Sequence, residues 1–302
     1  MSRLPALAAL AAGAVVLTAC TNAVETGALP ESDGASAEAG YDVSGIERVD
    51  EIAAMLPADF DGTLTVGSNL QYAPAEFLGG SDGQTPTGYD VDLAKALGQV
   101  LGAEVEVQHA EFASIIPAIG TRYDAGIASF SITPERQSEV DMVSYIAAGS
   151  TFSVQKGNPE GLDPADLCGT TMGVQTGTIQ DEGAETLSAE CAAGGAEPIE
   201  VLRYDSQADV TTNLVGGKID VMYADSPVGQ YAEVQTGGQV EQLGDVTDAA
   251  PQGIAVSKDD PELTAALQTA MQHLMDEGVW EDILATWNVT GALPTAELNP
   301  AV

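Results

Sequence analysis

The sequence is poor in basic residues: 9 Lys+Arg stand against 46 Asp+Glu, a formal net charge of -37 over 302 residues. A field of that sign repels phosphate backbones and anionic headgroups, which excludes nucleic acid and the membrane surface as partners. It also suits salty surroundings, which screen self-repulsion. Histidine and cysteine are scarce as well, at two and three copies. His109 and His273 stand far in sequence from Cys168 and Cys191, a pattern that matches no zinc spacing, and neither a metal nor a cofactor is expected. Aromatic residues make up only 5% of the chain while glycine occurs 33 times, which points to many tight turns. With 44% hydrophobic residues, the remaining composition is enough for two domains of ordinary size, each with its own core.

The apolar run from Leu4 to Leu17 follows a single charge, Arg3, and is too short and too rich in small residues for an ordinary membrane span. It reads as a signal peptide. The run ends in Leu17-Thr18-Ala19-Cys20, which resembles the bacterial lipobox, where the cysteine receives a diacylglycerol and becomes residue one of the mature protein. Residues 1–19 are then removed and Cys20 is the lipid anchor; the bland alternative is an ordinary cleavage site with an incidental thiol. From Thr21 to about Tyr41 the chain is Ala, Gly, Glu, Asp and Ser, which cannot repay the entropy of ordering, so a tether is expected. In an exported chain the two cysteines that remain, Cys168 and Cys191, imply a disulfide. Closing a loop of about two dozen residues stabilises by roughly 3 kcal/mol in the chain-entropy model.

Beyond the tether, Ile46, Val49, Ile52, Ala53 and Leu56 have helical spacing ahead of Pro57 and predict a short lead-in helix over 46–56. Strands are predicted at Leu64–Val66 and Val105–Val107. Asp90 is expected to cap a helix carrying Val91, Ala94, Leu97 and Leu101, and Ile115, Ile116 and Ile119 mark another. After Tyr145 the rhythm repeats, with strands at 151–154, 171–174, 199–202 and 219–223 and a helix from about Gln207 to Val215. A strand over 253–256 is followed by a helix over 261–277, whose Leu263, Ala266, Leu267, Ala270, Met271 and Leu274 form one apolar stripe. A last short helix carries Trp280, Ile283, Leu284 and Trp287, whose aromatics are read as core. The alternation is that of an α/β protein.

The stretch from Ala125 to Arg136 holds the first candidate site. Ile127, Phe130 and Ile132 read as a buried strand, and Thr133-Pro134 then supplies a helix N-cap and a proline at the first helical position. Ser129, Ser131 and Thr133 bring hydroxyls and amides to that junction. Arg136 lies in the first helical turn, where its charge opposes the helix dipole. Such an arginine either grips an anion through paired hydrogen bonds or is a solvated surface residue.

Taken together the motifs carry a resemblance. They are Val66-Gly67 with Tyr72-Ala73-Pro74, Gly88-Tyr89-Asp90-Val91-Asp92-Leu93, Ile116-Pro117, the Ser129-to-Arg136 seam, Gln175-Thr176-Gly177-Thr178, Asp220 through Asp225, and Gly253-Ile254-Ala255-Val256. From about Leu64 to Trp287 the chain resembles the extracytoplasmic amino-acid-binding proteins of ABC importers, bacterial solute-binding protein family 3. Leu167-Cys168-Gly169, Cys191 and Asp225-Ser226-Pro227-Val228 look like an actinobacterial lipoprotein branch. The resemblance implies a periplasmic-binding-protein type 2 fold, with two α/β lobes joined by two crossover strands and the ligand in the cleft between them. It divides the chain into a 20–59 tether and lead-in helix, lobe 1 at 60–148 plus 250–291, lobe 2 at 149–249, and a tail at 292–302. Ligand is then expected to close the lobes by a hinge motion.

Carried over residue by residue, the resemblance gives the ligand α-carboxylate to Arg136, with the amides of Ser131 and Ile179 and with Thr178 beside them. The α-ammonium falls to Asp225, the Ser129 carbonyl and the Ser131 hydroxyl. Asp225 read alone is equally a helix N-cap ahead of Ser226-Pro227. Asn69, Tyr72, Phe112 and Gln175 map to the wall around the ligand side chain, where Tyr72 and Phe112 either clamp it between rings or simply pack. Many relatives carry aspartate in place of Asn69, and often phenylalanine in place of Met142. Asp90 and Asp92 are read as helix-bracing. The implied function is a lipid-anchored, monomeric binding protein that delivers an amino acid to an ABC permease and catalyses nothing. An uncharged amide-like or aromatic ligand side chain is expected, although Glu76 and the negative surroundings also attract a cation. The rival readings are an enzyme on the same bilobed fold, with Asp225 or Glu76 as acid or base, and a sensor acting through a separate receptor.

Overall fold

The computed structural model describes residues 40–80 and 82–301. The signal peptide, Cys20 and the polar stretch to residue 39 lie outside the described residues. Eleven strands are described: β1 (Thr63–Ser68), β2 (Gln71–Tyr72), β3 (Glu76–Gly79), β4 (Thr85–Thr87), β5 (Glu104–His109), β6 (Ala125–Gly126), β7 (Val140–Gln155), β8 (Thr171–Gln175), β9 (Glu200–Tyr204), β10 (Val221–Asp225) and β11 (Val240–Ser257). The helices are α1 (Asp50–Ala53), α2 (Tyr89–Leu101), α3 (Phe112–Ile115), α4 (Pro134–Glu139), α5 (Ile179–Ala193), α6 (Gln207–Val215), α7 (Ser226–Gln235), α8 (Pro261–Asp276) and α9 (Val279–Thr286).

One eight-stranded sheet runs β5-β1-β6-β11-β7-β10-β8-β9, and β2-β3-β4 form a small antiparallel sheet. The outer groups β5-β1-β6 and β10-β8-β9 are internally parallel, as strands joined by crossover helices must be. Between them β7 and β11 run antiparallel and pass from one group to the other: β11 pairs β6 near one end, and β7 pairs β10 near the other. The β7–β11 register slips between Leu243 and Thr247, between Thr247 and Ala250, and between Gln252 and Gly253. The ladder is therefore interrupted where the chain crosses between the two halves, the place where bending costs fewest bonds.

The helices form where apolar stripes and caps agree. In α2, Leu93, Ala94, Leu97, Val100 and Leu101 are fully buried, and Gly102 closes the helix in the left-handed conformation. Gly88 opens α2 at φ 121, where a Cβ would lie 2.1 Å from the Ala75 carbonyl oxygen. Only glycine fits there. Asp260 caps α8 by accepting from Leu263 N, and the stripe of α8 packs against α2. Trp280 is wholly buried, donates to the Tyr145 carbonyl at 2.7 Å and meets the Tyr145 ring edge-on. Cys168 and Cys191 are disulfide-bonded with Cα atoms 5.6 Å apart, tying the loop before β8 to the end of α5.

Several expectations are corrected. The strand foreseen through Ile132 stops at Gly126, because Ser129 turns to φ 50, and the chain meets β11 again in a single bridge at Ser131, through the Phe130 carbonyl and the Ile132 amide. Gly88, not Asp90, is the N-cap of α2. The lead-in helix shrinks to Asp50–Ala53, since Val49 is held extended by its bond to the Val100 carbonyl. At the end of the stretch read as tether, Tyr41 N donates to Asp92 Oδ2 at 2.8 Å. Pro117 has no amide to continue a helix, so α3 gives way to a 3-10 turn over Ile116–Ala118. The strand expected at 151–154 is the far end of β7. At the C-terminus, Ala292 and Leu298 bridge to Ile146 and Val143, covering the β7 edge that β10 leaves open.

Candidate functional site

The site gathers where strand ends from both halves of the sheet meet β2 and β3. Asp225 closes β10 and is 5% exposed. It makes no side-chain cap to α7; its carboxylate instead accepts from Tyr72 Oη (2.9 Å) and Gln252 Nε2 (2.8 Å) on Oδ2, and from Gln180 Nε2 (2.8 Å) on Oδ1. Burial pushes its pKa up, while those three donors and the nearby Arg136 charge oppose the rise. The result is a buried anion held by uncharged donors.

Arg136 sits in the first turn of α4, which Thr133 caps by accepting from Arg136 N at 3.2 Å. Its guanidinium donates to the Ser131 carbonyl at 2.8 Å and to the Gly177 carbonyl at 3.1 Å, and lies 5.4 Å and 5.6 Å from the ring centroids of Phe112 and Phe130. Burial lowers its pKa from the ordinary arginine value, and the charges of Glu182 and Asp225 work against that. Facing it is the start of α5, where Thr178 Oγ1 accepts from Asp181 N at 3.2 Å and Ile179 occupies the first helical position. A helix N-terminus beside a guanidinium is an anion site by both its amides and its dipole.

Ser129 is held at φ 50 by Asp90, whose Oδ2 accepts from Ser129 N (2.7 Å), Ser129 Oγ (3.1 Å) and Tyr145 Oη (3.0 Å). A non-glycine residue there is strained, and the strain is borne by a carboxylate built to hold it. On the side-chain wall, Asn69 donates to the Ala110 carbonyl at 2.9 Å and accepts from Gln175 Nε2 at 3.2 Å. Phe112 pairs with the Phe130 ring, centroids 4.8 Å apart, while the hydroxyl of Tyr72 goes to Asp225. Among the described residues, four side-chain bonds thus join the two halves: Tyr72 and Gln252 to Asp225, Gln175 to Asn69, and Arg136 to Gly177.

Gln180 and Gln252 were not among the expected site residues, and Glu76 was expected only as a nearby acid. Glu76 stands directly opposite Tyr72 across β2–β3, so both side chains share one face. It has no exposure, and neither carboxylate oxygen meets a donor. Burial pushes its pKa well above the usual carboxylate range, and Asp90 and Asp225 add to the shift. The Gln252 Oε1 and Gln175 Oε1 atoms are likewise buried without a partner. The only sequence signal for Gln252 was its place between Pro251 and the apolar run from Gly253, and Glu76 opens the four-residue strand β3, too short for its period to show which face the side chain takes.

The family model for bacterial extracellular solute-binding proteins, family 3, matches residues 64–290. The arginine-binding protein ArgT of Corynebacterium glutamicum is 36% identical over 259 residues, 84% of this chain and 84% of that protein. An ancestral arginine-binding protein bound to arginine matches with a TM-score of 0.69 at 30% identity, covering 75% of this chain and 98% of that one. An ancestral arginine-binding protein bound to glutamine matches with a TM-score of 0.68 at 30% identity, covering 75% and 97%. These relatives are binding proteins, not enzymes, and the α/β fold is the periplasmic-binding-protein type 2 architecture of the solved structures.

Proposed function

Since the chain belongs to the bacterial extracellular solute-binding proteins of family 3, we propose that it captures a cationic amino acid, arginine first, for an ABC permease. In this reading Arg136, the amides of Ser131 and Ile179 and the α5 start at Thr178 take the α-carboxylate. Asp225, the Ser129 carbonyl and the Ser131 hydroxyl take the α-ammonium. A zwitterion stripped of water needs both charges paired, and the two partners come from different halves of the sheet.

The observation that carries the choice of ligand is Glu76. A fully buried carboxyl with no donor, on the face of Tyr72, adds a second acid to a site that already has one acid and one base. A cationic amino acid, with two positive charges and one negative, complements that set; a neutral one brings no counter-charge to Glu76. The arginine-binding relatives support the same reading. It departs from the uncharged side chain expected from Asn69, and that expectation keeps one support, the amide wall of Asn69 and Gln175 together with the glutamine-bound ancestral relative.

Cys20 is read as the lipid anchor that keeps the protein at the outer face of the cell membrane, as in a lipoprotein branch of the family. Cys20→Ser should then release it into the medium, and a variant that stays membrane-bound and lipid-bearing contradicts the anchor. The ligand is tested by a thermal-shift screen of the mature protein against the twenty amino acids, because a tight ligand raises Tm by mass action. Arginine and lysine should give the largest shifts. A larger shift with glutamine or an aromatic amino acid overturns the cationic reading.

A further inference from the structure

Asp90 N donates to the Ala75 carbonyl at 2.9 Å, which sets the Asp90 carboxyl beside that of the next residue, Glu76, and the surroundings of the two differ in kind. Asp90 Oδ2 collects three donors, from Ser129 N, Ser129 Oγ and Tyr145 Oη. Glu76 has none, and the oxygen Asp90 has to spare, Oδ1, is also without one. Two ionised carboxylates offer each other only lone pairs. With one proton between them, a Glu76 oxygen donates to Asp90 Oδ1, and two of the three unpartnered oxygens are satisfied. The donors decide the owner: Asp90, solvated by three of them, keeps the charge, and Glu76 keeps the proton.

We propose that Glu76 is a proton-gated specificity residue, neutral while it shares a proton with Asp90, and charged only when a cationic ligand side chain takes the place of that proton. This rests on the cationic reading above and deepens it. Binding of a guanidinium then converts the Glu76 carboxylic acid to carboxylate, and the proton leaves to the buffer; the guanidinium keeps its own protons. An uncharged side chain of the same shape leaves the Glu76–Asp90 proton where it is. The wall can thus receive either class of side chain without a buried, unpaired charge, and pH selects between them.

The burial that pushes Glu76 upward, with Asp90 held at about 6, sets the direction of the effect. The charged groups that face Glu76, Asp90 from α2 and Asp225 from β10, both disfavour a second negative charge, and Glu76 in turn pushes up the neighbouring phenols Tyr72 of β2, Tyr89 of α2 and Tyr145 of β7, which stay neutral. The base of the site, Arg136, exerts its charge on Asp225 and Tyr72. The Nδ1 atom of His109 accepts from Leu70 N at 3.2 Å, on the Asn69 side of the wall.

The test is calorimetry on the mature protein in two buffers of different ionisation enthalpy at one pH near 7, with arginine and with citrulline, its uncharged isostere. Arginine should release about one proton per molecule bound and citrulline none, and arginine affinity should rise with pH by up to about tenfold per unit while citrulline stays flat. Glu76→Gln, which keeps a donor toward Asp90, should abolish the release and the pH slope and narrow the preference for arginine. Arginine that binds tightly with the same enthalpy in both buffers overturns the inference on the wild-type protein alone and leaves the cationic ligand standing. Equal proton release with citrulline, or unchanged release in Glu76→Gln, also overturns it. Failure of arginine to bind at all removes the cationic reading and this inference together.

Discussion

Asp225→Asn isolates the charge that the site most depends on. The carboxylate accepts three hydrogen bonds, two on Oδ2 and one on Oδ1. An asparagine with its oxygen in the Oδ2 position keeps Tyr72 and Gln252 but turns its NH2 against Gln180 Nε2, donor against donor. One buried bond lost costs about 1–2 kcal/mol. Removing a buried negative charge offsets part of that, since burial already disfavours ionised Asp225. Folding should survive, with a Tm within a few degrees of the parent. Ligand binding should not, because the α-ammonium is left buried without its counter-ion, a loss of about 3–5 kcal/mol. That is about a hundredfold to several thousandfold in Kd. Calorimetry on a variant whose thermal unfolding stays cooperative measures both numbers. A Kd within about fivefold of the parent would refute the assignment of Asp225 to the ammonium.

With a formal charge of -37, the protein should steer cations, so the association rate of arginine measured by stopped flow should fall as NaCl is raised, while that of citrulline stays level; equal salt slopes would contradict steering. Replacing Cys168 and Cys191 together with serine should cost roughly 3 kcal/mol of stability in the chain-entropy model and leave arginine affinity unchanged, since the bond ties the end of α5 opposite to its ligand-facing start; an unaltered Tm would contradict it. The raised pKa values of Glu76 and Asp90 mean that the folded state binds more protons than the unfolded chain. Their contribution is full below the unfolded carboxylate range and is lost as pH rises through the folded values, starting at about 6 for Asp90. Ligand-free, the parent should therefore gain Tm over Glu76→Gln as pH falls from 7.5 to 5.5, and a constant difference in differential scanning calorimetry would oppose the shared proton.

The parts of the fold that could be read in advance are those where one physical signal dominates. In α6 and α8, Ser206 and Asp260 cap helices whose buried stripes repeat at helical spacing, and their bounds follow from that agreement. The seam after Gly126 misleads because Ile127, Phe130 and Ile132 are all buried, as a strand would have them, although Asp90 draws Ser129 out of the extended region. A carboxylate 39 residues away in sequence leaves no local trace. Arg136, Asp225 and the α5 start were legible through motifs. Gln180 and Gln252 were not, and Glu76 showed only as a nearby acid, because a buried polar side chain looks like a surface one until its partners are known. In β7, Val140–Gln155 is buried on both faces and shows no alternation, so only its far end at 151–154 was read as a strand.

Direct titration of the purified mature protein with arginine, lysine, citrulline, glutamine and glutamate, at one pH near 7 and moderate salt, bears most directly on the central claim. The account predicts that arginine binds at least about tenfold more tightly than citrulline or glutamine, a gap of about 1.4 kcal/mol or more, and that glutamate does not bind measurably. Citrulline or glutamine binding as tightly as arginine would contradict it.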